Sequence, residues 1–531
     1  MPSPSTNLRD YLLDGLRDIP GTREFHIHVL VSSPRKFQGL YPFAQPRPRT
    51  YLQDILILLS EESAGSPRVF TTAIEACVYN VPTTSCAIFY VSKVDSTGQS
   101  TSPSPAATLV QSLLTFYADP TTRPVSANHL WIHLFARAQS QYLFPNSADY
   151  SGKHPLSDVK LCAWWKRVLS QVADAVNARA SANAVIRLYY VLPGFSQLEA
   201  EYSMQRATIA PSTSDAPGPS WIYGHPYSQT DIPLPCPAPT SDVQHKQQNL
   251  GHFIPTFDDD PKSRFMDEIG CAAADTEGIR SPPRKRVRTA VQHGNAADVP
   301  KEAVAEKERQ SGKEERILGE LRRVSADEFW ERMSFRQECV AGAVTGFFVA
   351  GFSCPSSSQS GSSTSPSPLA PLPGQVSCQL NKRVLSTLMT GLEFSTVERS
   401  IKATETLEES IRGLCEGLAP IPTPPRTTGN SRDFDRRTPE PEASGALLAP
   451  PSTPPRRGKA YVPDVSPNPF PEPVTSLETY HSHIYGSICV SNAPLPVKTR
   501  SEAGAEQTGA PTEPAPHVTV LAVRKKKKRV E

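Results

Sequence analysis

A chain of 531 residues with 55 Lys+Arg against 53 Asp+Glu has a net charge of only +2, so its overall charge singles out neither nucleic acid nor an acidic partner. Its 54 prolines are about twice the usual share of roughly 5%, and many lie in Ser/Thr/Pro-rich stretches that bury too little apolar surface to offset chain entropy. Ten scattered cysteines form no CxxC pair and no Cys/His ligand spacing, which argues against a zinc site, and the absence of a signal peptide or membrane-length apolar run implies a reducing, cytosolic or nuclear compartment.

The first two hundred residues read as a mixed α/β region. Leu8, Leu12, Leu13 and Leu16 share a helical face. The runs Phe25 to Val31, Tyr51 to Leu59, Ala73 to Tyr79 and Cys86 to Val91 are β-rich and bounded by turn residues. Leu109, Val110, Leu113, Leu114 and Tyr117 make a helical stripe, and Leu130 to Phe135 is a further strand. Ser157 opens a helix that turns Leu161, Trp164, Trp165, Val168 and Leu169 inward, and Val185 to Leu192 is a strand stopped by Pro193-Gly194.

Residues 207–250 read as a long loop around an aromatic island, Trp221 to Tyr227, followed by an ordered piece, Phe253 to Ile269. Residues 276–312 read as a disordered basic linker carrying Arg284, Lys285, Arg286 and Arg288. Order returns with the capping box Ser325-Ala326-Asp327-Glu328, with Val324 and Phe329 as its hydrophobic staple. The helix after it is expected to bury Trp330, Met333, Val340, Val344 and Phe347. Residues 353–378 read as a Ser/Pro linker. A second capping box, Ser395 to Glu398, opens a helix with Val397, Ile401, Ile411, Leu414 and Leu418 on one face. Residues 421–531 read as a disordered Pro-rich tail ending in Arg524 to Arg529. The expected architecture is α/β (mixed α+β), a central mixed sheet flanked by helices. The folded core has a first part, 1–275, and a helical second part, 313–420. The pieces are too small to stand alone and are expected to close one core.

No P-loop, nucleophile elbow, HExxH or nucleotide GxGxxG is present. The phosphate loop of the commonest acetyltransferase fold is also missing from the ordered part, and its nearest look-alike, Arg426 to Ser431, lies in the tail. Three constellations remain. Phe135 to Pro145, with Lys153-His154 and Trp164-Trp165, could hold a pyrophosphate and a ribose phosphate, or be a solvated cationic rim beside a core Trp pair. Phe257 to Phe265, with Asp258, Asp259 and Asp260, could bind an ammonium or take its proton, or be an acidic helix start at Asp260-Pro261. Asp95, leaving a strand in Val91 to Gly98, could reach a cleft or simply form a turn.

In this order and spacing, Tyr90 to Asp95, Ser140 to Pro145, Lys153-His154, Trp164-Trp165 and Asp259 to Phe265 resemble the fungal histone lysine acetyltransferases that depend on histone chaperones, distant structural relatives of the CBP-type enzymes. The resemblance spans most of residues 1–420. It implies acetyl-CoA in a cleft contacted by Phe135, Arg137, Gln139, Tyr142, Lys153 and His154. Asp95, Trp165 and Asp260 match catalytic positions, with Asp259 beside them, and Lys262 matches an autoacetylated lysine. It further implies an H-three-type histone substrate, presentation by histone chaperones, no metal, a nuclear location, and a role in chromatin assembly and the DNA damage response. The general base stays open. The rival readings are an inert nuclear scaffold and, last, a nucleic-acid binder resting only on the basic runs.

Overall fold

Runs rich in β-branched and aromatic residues supply one mixed sheet in the computed structural model, which describes residues 7–179, 184–207, 220–236, 249–275, 320–336, 343–354, 367–416 and 468–493. The strands are β1 (Gly21–Val31), β2 (Arg35–Phe37), β3 (Thr50–Ser63), β4 (Ser66–Val81), β5 (Cys86–Ser96), β6 (His129–Ala136), β7 (Val185–Val191), β8 (Trp221–Tyr223), β9 (Gly346–Ser353) and β10 (Tyr485–Asn492). Their order is β10-β1-β3-β4-β5-β6-β9-β7-β8, with β2 on β3. β5 runs parallel to β6 and β7 parallel to β8, and the other pairs are antiparallel. β9 lies between β6 and β7, so the two parts of the expected core share one sheet.

Helices cover both faces. The amphipathic α1 (Leu8–Gly15), α2 (Ala106–Ala118), α3 (Asp158–Arg179) and α4 (Gln197–Ala207) bury their apolar sides in the largest core cluster, with Phe89, Ile132 and Phe348 from the sheet. The other face carries α5 (Pro261–Asp275), α6 (Ala326–Met333), α7 (Cys378–Gly391) and α8 (Val397–Glu416). Asp260 caps α5 as the sequence suggested, accepting the Lys262 N–H at 2.9 Å ahead of Pro261. Ser325 caps α6, accepting from the Glu328 N–H, and the staple residues Val324 and Phe329 are buried in one cluster.

Four expectations are corrected. First, α6 ends at Met333, and Phe347 lies on β9 with Val344 just ahead of it; Val340 is outside the described residues. The run GFFVAGFS is buried at every position, as an interior strand between two neighbours requires, and periodicity cannot separate such a strand from a buried helix. Second, Thr396 rather than Ser395 caps α8, accepting from the Arg399 N–H at 3.3 Å. Its buried face is Ser400, Ala403, Thr404, Leu407, Glu408, Ile411 and Cys415, while Val397 is exposed, Ile401 and Leu414 are half-buried, and Leu418 is outside the described residues. The face is turned by polar anchors: Arg68 pairs with Glu408 at 2.7 Å, Ser60 donates to it at 3.1 Å, and Thr404 accepts the Phe70 N–H at 2.9 Å. Third, the stretch read as a 353–378 linker contains the end of β9 and the described residues 367–377, whose Ser377 caps α7. Fourth, within the expected tail, residues 468–493 carry β10, which pairs with β1 from Gly21↔Asn492 to His28↔Tyr485. The island at Trp221 is β8, inside the expected 207–250 loop. The basic runs at 284–288 and 524–529 lie outside the described residues.

The tail segment is fixed by buried histidines. His28 on β1 is fully buried and its Nε2 lies 3.0 Å from the Tyr480 hydroxyl; His26 Nδ1 lies 3.0 Å from that of Tyr485. Burial, with Arg68 and then His26 adding repulsion, holds the His28 pKa down to about 3. An unfolded chain protonates this residue near 6.5 while the folded one does not, so its contribution is complete above pH 6.5 and is lost as pH falls from there toward 3. Chemical unfolding across pH 7 to 4 is expected to show the wild type losing up to about 1.4 kcal/mol per pH unit more than His28→Leu; equal slopes would show that His28 does not couple to folding.

Candidate active site

Because β5 and β6 are parallel, their carboxyl ends finish at the same edge of the sheet, where ligand crevices of α/β folds form. A cavity of about 700 Å³ lies there. Its walls come from Val91 to Ser96 on β5, Leu134 to Gln139 at the end of β6, Gly152 to Leu156, and Leu161, Trp164, Trp165 and Arg167 on α3. Of the residues named from sequence, it gathers Asp95, Phe135, Arg137, Gln139, Tyr142, Lys153, His154 and Trp165.

Asp95 is neither a turn-former nor an open carboxylate. It is buried on β5, and one oxygen accepts the successive N–H groups of Tyr142, Leu143 and Phe144 at 2.7, 2.8 and 3.1 Å. The other accepts the Ser96 N–H at 2.8 Å and the Lys153 ammonium at 2.9 Å. Lys153 also donates to Ser147 Oγ at 2.8 Å, so its charge is engaged within the wall. Gly98 permits the approach: its φ is +79°, and a Cβ there would stand 2.5 Å from the Lys153 Cα.

Arg137 follows the last residue of β6, and its carbonyl accepts the Tyr142 hydroxyl, tying the two ends of the 137–142 turn. Burial raises the pKa of that hydroxyl to about 12, so it stays protonated. Among the described residues the Arg137 and Arg167 guanidinium groups make no hydrogen bond or ion pair, and Asp95 is the one carboxylate lining the cavity. His154 and Gln139 are exposed on the rim. Trp165 is buried and meets Trp164 edge-on at 4.7 Å and 77°.

Asp259, Asp260 and Lys262 do not line the cavity: Asp260 and Lys262 sit behind it, and the more exposed Asp259 meets Lys93 on its wall. Asp260 is fully buried and accepts from the Lys262 ammonium, which lies 4.6 Å from the centre of the Phe347 ring. Phe347 packs 4.7 Å from Phe135, a cavity residue, so one aromatic layer separates the buried pair from the cleft. Burial first, then the Lys262 charge, holds His133 well below its usual pKa, and it is neutral. Asp259 bonds Lys93 at 2.9 Å, and Lys93, a cavity residue, also bonds Glu75 at 2.8 Å. No group of three or more potential metal ligands occurs among the described residues.

Sequence reasoning missed Lys93, Glu75, Arg167 and the Phe347 layer. Lys93 stands two residues before Asp95, the spacing of one strand face, and Arg167 stands three after Trp164, the spacing of one helix face. Those two were within reach of periodicity, whereas Glu75 and Phe347 arrive only through sheet pairing. Breaking the buried pair by Asp95→Asn or Lys153→Met is expected to cost about 3 kcal/mol in urea unfolding, and the double variant less than the sum; additive costs would separate the two groups.

A family description, histone acetyltransferase KAT11-type domain, matches residues 118–410. Similar curated proteins include a histone acetyltransferase rtt109 of Aspergillus flavus, 28% identical over 349 residues that cover 60% of this chain and 52% of that one. Another is the histone acetyltransferase rtt109 of Schizosaccharomyces pombe, 24% identical over 336 residues, 62% and 67% of the two chains. The chain thus spans about half the length of the Aspergillus flavus relative. The crystal structure of Rtt109 from Aspergillus fumigatus shares the fold, with a TM-score of 0.52 at 23% identity over 76% of this chain and 96% of that one. With over half of its length matched, this chain belongs to the KAT11-type histone acetyltransferase family.

Proposed function

We propose that this protein transfers the acetyl group of acetyl-CoA to lysine side chains of an H-three-type histone. The observation that carries the reading is the cleft at the β5–β6 ends, where unpaired guanidinium groups and a tryptophan wall share one cavity. The residues suit an acyl-CoA: Arg137 and Arg167 offer charge-assisted donors for phosphate, His154 and Gln139 add polar contacts at the rim, and Val91, Leu134, Leu161, Trp164 and Trp165 provide the apolar surface a pantetheine arm needs.

The chemistry follows from the amine. A lysine ammonium has no lone pair, so it must lose a proton before attacking the thioester carbonyl, and the CoA thiolate then leaves. Asp95, Asp259 and Asp260 each hold a lysine ammonium, of Lys153, Lys93 and Lys262 respectively. None is a free base, so we assign the proton to water in the cleft, with the exposed Asp259 carboxylate beside the cavity wall stabilising the approaching ammonium. Trp165 walls the amine channel. Autoacetylation of Lys262 belongs to the same proposal: its ammonium lies 5.8 Å and 4.6 Å from the ring centres of Phe257 and Phe347, where an acetyl group would meet apolar surroundings, and a new partner must then replace the lost charge at Asp260.

Histone chaperones as presenting partners, a nuclear location and a role in chromatin assembly and DNA damage complete the proposal. Two features support them: the family, and the basic runs at 284–288 and 524–529. Transfer of radiolabelled acetyl from acetyl-CoA to H3–H4, with and without a histone chaperone, tests the reading. Wild type is expected to transfer label. Trp165→Ala should lower kcat/KM by about a hundredfold through loss of alignment, and Arg137→Ala should raise the KM for acetyl-CoA by about tenfold or more. No transfer by wild type under either condition would overturn the proposal.

A further inference from the structure

The strand that builds the cleft contains one extra residue. In the β4–β5 pairing, Glu75 faces Lys93 but Ala76 faces Val91, which leaves Ser92 as a bulge. The bulge shifts the alternation of side chains. Val91 and Val94, three residues apart, both pack into the core under α2 and α3, and Lys93 is thereby turned to the face that carries the acidic turn. There its ammonium bridges Glu75 Oε2 at 2.8 Å and Asp259 Oδ2 at 2.9 Å.

β5 grips that turn at a second point. The Tyr90 ring stacks on Phe257 at 4.0 Å and 7°. Phe257 is also fixed to the start of α5, because Ser263 Oγ donates to its carbonyl at 2.7 Å and accepts its N–H at 2.8 Å. Asp259, in contrast, is more than half exposed, and Lys93 is its one ion-pair partner among the described residues. The aromatic stack fixes where the turn lies. The Lys93 ion pair fixes where the Asp259 carboxylate points, at a residue that itself lines the cavity.

We propose that Lys93 is a positioning residue for lysine acetylation, acting through Asp259: with Glu75 as its anchor on β4, it holds the Asp259 carboxylate against the cavity wall, beside the path of the substrate ammonium. The inference rests on the acetyl-transfer reading above. It sets Lys93 apart from the groups that would bind acetyl-CoA, since its charge is committed to two carboxylates.

Steady-state acetylation of H3–H4 by the full chain, with acetyl-CoA binding measured separately by calorimetry, tests it. Lys93→Met is expected to lower kcat/KM for the histone by about tenfold to a hundredfold, with the Kd for acetyl-CoA unchanged. Lys93→Arg, which keeps the charge, is expected to recover most of the loss. Asp259→Asn should show a similar loss, and the double variant Lys93→Met/Asp259→Asn should be no worse than Asp259→Asn alone. Multiplying losses in the double variant, a weakened acetyl-CoA Kd in Lys93→Met, or wild-type kinetics in Lys93→Met would each overturn the inference. Thermal unfolding of every variant identifies a general loss of structure, and the Arg variant then decides the case, because a failure to recover activity with folding intact also overturns it. No transfer by the wild type would overturn the acetyl-transfer reading itself and this inference with it.

Discussion

A single buried carboxylate shapes the cleft. Asp95 accepts five hydrogen bonds, three from consecutive backbone amides of the 142–144 segment, one from its own neighbour and one from Lys153. An ionised acid in this position would be costly without compensation. Here the Lys153 ammonium neutralises it and the amides solvate it, in the manner of an anion nest. The consequence reaches beyond Asp95. The segment after β6 must fold back toward β5 to supply those amides, which leaves Arg137 at the strand end and brings Tyr142 onto the Arg137 carbonyl. The segment around Gly152 is drawn in by Lys153, close enough that only a glycine fits opposite at position 98. Three walls of one cavity are thereby set by one charge.

Pairing elsewhere determines which charges remain for a ligand. Lys93 is shared by Glu75 and Asp259, Lys153 is held by Asp95, and Lys262 by Asp260. Each lysine beside the cleft that meets a carboxylate is withdrawn from phosphate recognition. The guanidinium groups of Arg137 and Arg167 are what the cleft presents, and a guanidinium suits bidentate phosphate contacts better than an ammonium does. The same pairing bears on proton transfer, since a carboxylate already bonded to an ammonium is a poor acceptor for a second proton. Among the described residues, the one carboxylate lining the cavity is thus already committed to an ammonium.

Much of this was legible in the chain. The strands β1 and β3 to β6, the helices α1 to α3 and the capped start of α5 follow from alternation, helical spacing and Asp260-Pro261, because in each case a local pattern coincides with the face that is buried. The cleft residues Phe135, Arg137, Tyr142, Lys153 and Trp165 came from motif order, and they line one cavity. What stayed hidden depends on distant partners. GFFVAGFS lacks alternation because β9 is buried on both sides, so its strand character comes from β6 and β7. The face of α8 is set by Arg68 and Ser60, which draw in Glu408 against its hydropathy. β10 is a short segment in proline-rich surroundings, and it becomes a strand because β1 offers an edge and His26 and His28 offer partners for Tyr485 and Tyr480. Asp95 is marked by its motif, but only the fold shows that its lone pairs are already used.

The position of β9 makes the cleft a product of the whole core. β6 carries the residues that reach Arg137, yet its other edge is closed by β9, a strand that follows more than one long proline- and charge-rich stretch in the chain. Phe347 on β9 supports Phe135 at the cleft and lies against Lys262 behind it. Closing a longer loop costs only slowly more entropy, roughly 0.6 kcal/mol per doubling of length, so the intervening stretches can vary in length with little penalty to the fold. The aromatic layer cannot vary in the same way, because Phe135, Phe347 and the Asp260–Lys262 pair form a continuous stack of contacts from three separate parts of the sequence. This is a physical reason for the contrast within the chain: long stretches of low apolar content separate short segments whose placement in the sheet is fixed by pairing on both edges.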